Sequence, residues 1–179
     1  MNIKSRIALN IVVAVLFLYS FSAFADMNKS CRLLGSYGYL YNGTSYSASG
    51  SVPLTETGFL TIDNDGNLSG EGTLAFYFSD FGGSGLPLWL LLHEVQSNGV
   101  VTQDTNNTCG GTVDFLATAT VIKTSDPSLV PEGTVLFTDS PRSLAYTISG
   151  SGKGTTVDMI STSPGTIASG TAHKQKKRR

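Results

Sequence analysis

Side chains alternate between apolar and small or polar along most of this sequence, with a period of two residues. The clearest run starts at Leu33 and places three tyrosines on one face, Tyr37, Tyr39 and Tyr41. A second run, over residues 112–123, places five apolar residues on one side: Val113, Phe115, Ala117, Ala119 and Val121. Residues two apart share a face on a strand, whereas a helix repeats every 3.6 residues. The pattern therefore predicts an all-β protein.

Turn sequences separate these runs at close intervals. The stretch Asp63-Asn64-Asp65-Gly66-Asn67 carries the strongest hairpin signal, because Gly adopts a positive φ without strain. Asn98-Gly99 and residues 124–133 are further predicted turns. This spacing predicts one domain over residues 26–172, with about 8–10 short strands in a sandwich or an antiparallel up-and-down β-barrel. The barrel is favoured because closure removes the exposed edges of a small sheet.

The first 25 residues have the order of a bacterial secretory signal peptide. Lys4 and Arg6 precede an apolar run over residues 7–18, and Ala23-Phe24-Ala25 supplies the small residues needed for a cut after Ala25. The apolar stretch is also roughly one bilayer long, so an uncleaved anchor is the alternative. Cleavage is favoured. We therefore expect residues 1–25 to be a signal peptide, the mature chain to have no transmembrane span, and its compartment to be periplasmic or secreted.

Charge is distributed unevenly along the predicted mature chain. Residues 26–172 contain five basic side chains against thirteen acidic ones, whereas residues 173–179 contain five basic ones and no acid. Residues 173–179 are therefore predicted to form a basic disordered tail. Such a tail either binds an anionic surface or is a solvated terminus, and the solvated terminus is favoured. The acidic body argues against nucleic acid as a partner.

The two cysteines, Cys31 and Cys109, are predicted to form a disulfide bond. Both lie in the predicted mature chain, and an even pair in a small exported domain usually bonds. The alternative, a reactive thiol, requires a neighbouring group that lowers its pKa. No basic residue flanks Cys109. We therefore expect a structural disulfide.

Four stretches of the sequence are similar to a known group of proteins. They are residues 31–39, 58–70, 107–115 and 159–172. They resemble exported, mostly uncharacterised bacterial β-barrel proteins, which read Leu-x-Gly-x-Tyr-Gly, Phe-Asp-Gly-x-Gly-Asn and Asp-Cys-Thr-Gly-Thr at matching places. The resemblance covers most of the mature chain and implies a lipocalin-like or allene-oxide-cyclase-like barrel. It implies no agreed activity and no catalytic residues, and residues 79–95 depart from it.

Aromatic residues on predicted strand faces are candidates for the wall of a ligand cavity. Aromatic rings supply apolar walls, and hydroxyl or charged groups among them orient a ligand. The candidate ligand-binding residues are Tyr37, Tyr39, Tyr41, Phe76, Phe78, Trp89, His93 and Arg142. The alternative is an ordinary filled core, since small barrels are often packed solid. No catalytic set, metal site or cofactor site is predicted.

The segment from Leu86 to Val95 is unusual because both of its faces are apolar. One face carries Leu88, Leu90, Leu92 and Glu94, and the other carries Trp89, Leu91, His93 and Val95. An apolar outer face indicates contact with a partner, and we predict a homo-oligomer through this strand, with Leu90 and Leu92 as its test positions. The alternative is that residues 124–133 cover the strand.

These observations predict a binding or structural module of the bacterial envelope. Its ligand would be a small apolar or amphipathic molecule held inside the barrel. The alternative is a cyclase- or isomerase-like enzyme that acts on a lipid-like substrate, which rests on fold analogy alone. The balance is against an enzyme, because an enzyme needs a titratable group facing the cavity. The sequence offers only Arg142, Glu71 and His93 for that role.

Overall fold

The protein is an eight-stranded antiparallel β-barrel within the part of the chain that the structure describes. The computed structural model describes residues 31–47, 50–81, 85–105, 109–150 and 154–176. The predicted signal peptide lies outside the described residues. The strands are β1 (Gly35–Ser47), β2 (Gly50–Ile62), β3 (Asn67–Phe78), β4 (Leu88–Gln103), β5 (Gly110–Thr124), β6 (Val135–Ser149), β7 (Thr156–Ser161) and β8 (Thr166–Lys174).

Each strand pairs with the next one in the sequence, and β1 pairs with β8 to close the barrel. All eight pairings are antiparallel. The predicted all-β, up-and-down barrel is therefore confirmed. Odd-numbered strands begin at one end, here named the disulfide end because Cys31 and Cys109 join there just before β1 and β5. The predicted disulfide is thus present in the structure.

One of the predicted turns, and one further position, are β-bulges. The Asn98-Gly99 pair was predicted to end a strand, but β4 continues through it to Gln103. The register with β5 shifts between Ser97 and Val100, and Asn98 has a φ of 51°. A second shift, near Ala119, lies opposite Asp139, whose φ is 48°. A bulge uses the same left-handed residue as a turn but leaves the partner strand in place, so the two are alike in sequence.

The hairpin predicted at residues 63–67 is confirmed by its hydrogen bonds. One carboxylate oxygen of Asp63 accepts from the backbone N–H groups of Asp65 and Asn67, each at 2.9 Å. The other accepts from the Asn67 side chain at 2.9 Å. These donors lower the pKa of Asp63 below its usual value. Gly66 has a φ of 86°, which explains why glycine stands in this turn.

The barrel interior contains two apolar clusters. The first lies toward the disulfide end and includes Leu33, Ile62, Leu68, Val113 and Ile148. The second lies at the opposite end, on the β3–β5 side, and includes Leu88, Leu90, Leu92, Val121 and Val130. Val130 belongs to the loop after β5, so this loop plugs the end of the barrel. It leaves the outer face of β4 uncovered, since Trp89 is 44% exposed.

The last strand extends past the predicted end of the domain. The barrel was predicted to stop at residue 172, but β8 continues to Lys174. Beyond it, the backbone N–H of Gln175 donates to the carbonyl of Ser36 at 2.8 Å. The boundary of the predicted basic tail is therefore wrong by about two residues, because β1 offers backbone partners there. No helix among the described residues has the length and hydropathy needed to cross a bilayer.

Candidate functional site

A cavity lies inside the barrel, lined by members of the first apolar cluster such as Leu33, Leu60 and Val113, and it extends toward the end opposite the disulfide. The volume of this cavity is about 80 Å³. Five of the residues predicted to bind a ligand line this cavity: Tyr37, Tyr39, Tyr41, Phe76 and Arg142. The tyrosines do so because β1 alternates as predicted, and each of the three is at most 8% exposed.

The other three predicted residues do not line the cavity. Trp89 and His93 lie on the outer face of β4, because the alternating leucines of that strand take the inner face. His93 Nε2 is 3.4 Å from an oxygen of Glu71, which is also on the outside. Phe78 packs edge-on against Phe81, with ring centres 5.3 Å apart, at the end of the barrel. Placing these residues in the cavity was therefore incorrect.

Four polar residues meet in the cavity wall, and we name them the polar cluster: Tyr39, Glu56, Glu94 and Gln96. The Gln96 side-chain amide donates to the Tyr39 hydroxyl oxygen at 2.7 Å and to Glu56 Oε1 at 3.0 Å. It also lies 3.4 Å from Glu94 Oε1. The Tyr39 hydroxyl in turn donates to Glu56. Three strands, β1, β2 and β4, thus converge on Glu56.

Burial determines the protonation of the two carboxyl groups of this cluster, Glu56 and Glu94, named here the acid pair. Glu94 is 2% exposed. Its desolvation, together with the charge of Glu56, raises its pKa to about 8. Burial also raises the pKa of Glu56, although hydrogen bonds from Tyr39, Glu94 and Gln96 oppose that effect. At neutral pH, Glu94 therefore holds its proton, and the two carboxyl groups of the acid pair interact through a hydrogen bond.

Three glycines make room for the polar cluster on the inner faces of β2 and β3. A Cβ atom at Gly72 would lie 2.5 Å from the Tyr39 hydroxyl oxygen, and one at Gly58 would lie 2.9 Å from it. A Cβ atom at Gly70 would lie 2.7 Å from the Gln96 side-chain oxygen. These distances are too short for real contacts. The glycines are therefore required by close approach of these side chains and of the neighbouring strand backbones rather than by a turn.

Arg142 of β6 lines the same cavity and is half-buried. Its guanidinium carbon lies 5.0 Å from the centre of the Phe137 ring. Burial raises the pKa values of both members of the acid pair and of Tyr41, and the charge of Arg142 offsets part of that rise. Among the described residues, however, no ion pair or hydrogen bond engages its side chain. Arg142 therefore influences the acid pair through space and keeps its donors available.

The cavity extends to the end of the barrel away from the disulfide. There, four half-buried hydroxyl side chains line it, named here the hydroxyl rim: Ser45, Ser161, Ser163 and Thr166. They come from the end of β1, the end of β7, the following turn and the start of β8. Because these side chains are partly exposed, the cavity has a polar route to solvent at this rim.

The outward apolar residues on β3 and β4 form a shallow groove. It includes Ala75, Tyr77, Trp89 and Leu91, and Tyr77 is 50% exposed. Leu90 and Leu92, the test positions of the predicted oligomer interface, are instead at most 1% exposed inside the barrel. Changing them would damage the core. The predicted homo-oligomer through Leu86 to Val95 stays a prediction, and the residues that would carry it are Trp89 and Leu91.

Three residues of the site were not predicted from the sequence: Glu56, Glu94 and Gln96. Their signal was the phase of the alternation: Glu94 lies in step with Leu88, Leu90 and Leu92, and Glu56 lies in step with Leu60 and Ile62. An acidic residue in step with buried leucines faces inward and needs a partner there. Among the described residues, no three His, Cys, Asp or Glu side chains are arranged to hold a metal ion.

Comparison with known proteins does not assign the site. No family model matches this sequence, and no curated protein or solved structure is significantly similar to it.

Proposed function

We propose that this barrel binds a small amphipathic molecule in its interior cavity. The observation that carries the proposal is the combination of an apolar, tyrosine-rich wall with the polar cluster and Arg142 inside one cavity. Ligand pockets typically have mostly apolar walls with a few placed polar groups. The finer assignment, an exported lipocalin-like barrel of the bacterial envelope, rests on the sequence order of residues 1–25 and on the disulfide, a bond that persists in oxidising compartments.

The size of the cavity favours a ligand of few atoms. An apolar cavity of about 150 Å³ holds one six-carbon benzene molecule, so about 80 Å³, roughly half that space, suits a chain of about three or four carbon atoms. A whole lipid chain exceeds this space. The cavity volume therefore argues against the lipid-like substrate that fold analogy suggests.

Methionine NMR offers a direct test of occupancy. Met159 lines the cavity and is the one methionine within the described residues. We expect its ¹³C-labelled methyl signal to shift saturably with at least one member of a four-carbon panel: 1-butanol, butyramide, butyrate and butylamine. The single tryptophan, Trp89, lies outside the barrel, so its indole N–H signal should stay in place.

A pair of neighbouring variants controls this experiment. Ala172 is 1% exposed and lines the cavity, whereas Thr171 points to solvent. Ala172→Leu should fill the cavity and abolish the Met159 response, and Thr171→Leu should keep it. Far-ultraviolet circular dichroism checks that both variants fold. A Met159 signal that responds to no panel member, or that responds equally in both variants, would refute small-molecule binding in the cavity.

Acid–base catalysis is the second candidate, because Glu94 has a pKa raised to about 8 and faces the cavity. A general acid works best when its pKa lies near the working pH. Glu56, however, already accepts hydrogen bonds from Tyr39, Gln96 and Glu94. A carboxylate so engaged is a weak base, and binding is therefore the better-supported function.

A further inference from the structure

Arg142 is a cation inside the cavity without a hydrogen-bonded partner. Within the described part of the chain, its five N–H donors engage no acceptor, and its nearest aromatic contact is the Phe137 ring at 5.0 Å. A half-buried guanidinium loses part of its hydration, which a hydrogen-bonded anion restores. An anionic ligand would therefore gain the most binding free energy by accepting hydrogen bonds from these free donors on the cavity wall.

The acid pair makes no ion pair or hydrogen bond to these donors, and Oε1 of each carboxyl group already lies within 3.4 Å of the Gln96 side-chain amide. The Glu56 carboxylate accepts from Tyr39 and Gln96, and Glu94 shares its proton with Glu56. A cationic ligand would have to displace these contacts and would also be repelled by Arg142. The charge arrangement thus disfavours an ammonium ion, even though two carboxyl groups line the cavity.

The surroundings of Arg142 match the two halves of a short amphipathic acid. On one side lies the hydroxyl rim, and Tyr41 is close enough for the guanidinium to offset part of the rise that burial causes in the Tyr41 pKa. On the other side the wall is apolar, with Leu144, Val157 and Met159 leading toward the disulfide end. Guanidinium and carboxylate groups pair through two parallel hydrogen bonds, and rim hydroxyls can donate to the same anion.

We propose that the cavity binds a short-chain monocarboxylate of about three or four carbon atoms, with its carboxylate on Arg142 and its chain against the apolar wall. The proposal rests on the proposed binding function and names the chemistry of its ligand. The other titratable groups that line this cavity come from β1, β2, β4 and β6: Tyr37, Tyr39, Tyr41, Glu56, Glu94 and Tyr146. The described inner residues of β3, β5, β7 and β8 add no charge there.

The test compares three four-carbon ligands of equal length on the full protein. Butyrate, butyramide and butylamine are titrated at pH 6.5 while the Met159 methyl signal is followed. We expect butyrate to bind about ten- to a hundredfold more tightly than butyramide, the range for hydrogen bonds to a charged group. Butylamine should bind no better than butyramide.

Three arginine variants separate a specific pair from general charge. Arg142→Gln should remove the preference for butyrate and change butyramide affinity by less than about threefold. Arg142→Lys should keep a reduced preference, because lysine is a point charge without the planar fork. Arg32→Gln is the matched control, since Arg32 is exposed and donates to the Asn64 carbonyl at the far turn; it should behave as the parent.

These titrations test the carboxylate assignment and small-molecule binding separately. Equal binding of butyrate and butyramide, or a butyrate preference that survives in Arg142→Gln, would overturn the carboxylate assignment and leave small-molecule binding intact. Tightest binding by butylamine would overturn it too and would point to the acid pair. A Met159 signal that responds to none of the three would remove the proposed function itself.

Discussion

Between pH 5 and pH 8 the barrel should lose about 3 kcal/mol of unfolding free energy through Glu94, and Glu94→Gln should remove most of that loss. The variant keeps a side chain of the same shape that donates to Glu56, but it has no proton to lose. The measurement is chemical denaturation at a series of pH values. Linear extrapolation gives the unfolding free energy at each pH.

The unfolding free energy falls as pH rises because folding raises the pKa of Glu94. Glu94 has a folded pKa of about 8, above its ordinary value of 4.5. Between these values the folded state binds more protons than the unfolded state, so stability falls as pH rises, by up to about 1.4 kcal/mol per unit. Well above pH 8, Glu94 is ionised in both states and no longer changes the unfolding free energy with pH. Burial of Glu56 acts in the same direction, so a shallower slope should persist in the variant.

An outer-face variant is the control for this pH profile. Glu71 carries a side chain that is 70% exposed, on the opposite face of the sheet from the acid pair. Glu71→Gln should reproduce the parent profile. If Glu94→Gln shows the same pH slope as the parent, Glu94 is ionised at neutral pH and the shared proton does not exist.

Replacing both cysteines by alanine should lower the unfolding free energy by about 3–5 kcal/mol. The Cys31–Cys109 bond closes a loop with a sequence separation of 78, so its removal gives the unfolded chain many more conformations. In the folded state it also holds the segment before β1, where Leu33 is 6% exposed and caps the first apolar cluster. Guanidinium denaturation at pH 6 measures the difference.

Reduction of the parent protein provides the matched control for the disulfide. The reduced parent should unfold near the same denaturant concentration as Cys31→Ala/Cys109→Ala, and reductant should have no effect on the variant. A loss below about 1 kcal/mol would mean that the unfolded chain is already compact around this loop or that the bond strains the barrel.

The alternation of side chains predicted the architecture because a closed barrel has an inside and an outside along every strand. The same alternation predicted that Tyr37, Tyr39 and Tyr41 share a wall, as the structure confirms. The strand count was less certain, since a left-handed residue such as Asn98 serves a turn and a bulge alike. Only the continuation of the partner strand distinguishes the two cases.

The site was harder to predict than the fold for a physical reason. The alternation of β4 places Glu94 on the inner face, but the sequence does not show which residue of another strand Glu94 contacts there. That pairing depends on the register of every strand, which brings Glu56 of β2 to Glu94 of β4 although β3 lies between them. The glycines at 58, 70 and 72 belong to the same arrangement, because they make room for side chains and backbone of other strands.

Trp89 and His93 were predicted to line the cavity, because aromatic rings and polar groups are frequent in ligand sites. Their position followed instead from the leucines beside them: Leu88, Leu90 and Leu92 take the inner face and force Trp89 and His93 outward. Burial of a long apolar row outweighs the placement of one aromatic ring, since each buried leucine contributes roughly 1.5–3 kcal/mol.

The shared proton inside the barrel is tested most directly by ¹³C NMR of the glutamate carboxyl carbons during a pH titration, with Glu94→Gln used to assign the Glu94 signal. The structure predicts that Glu94 loses its proton near pH 8, coupled to a change in the Glu56 signal. A Glu94 signal that is already fully ionised at pH 6 would contradict a protonated acid pair in the cavity.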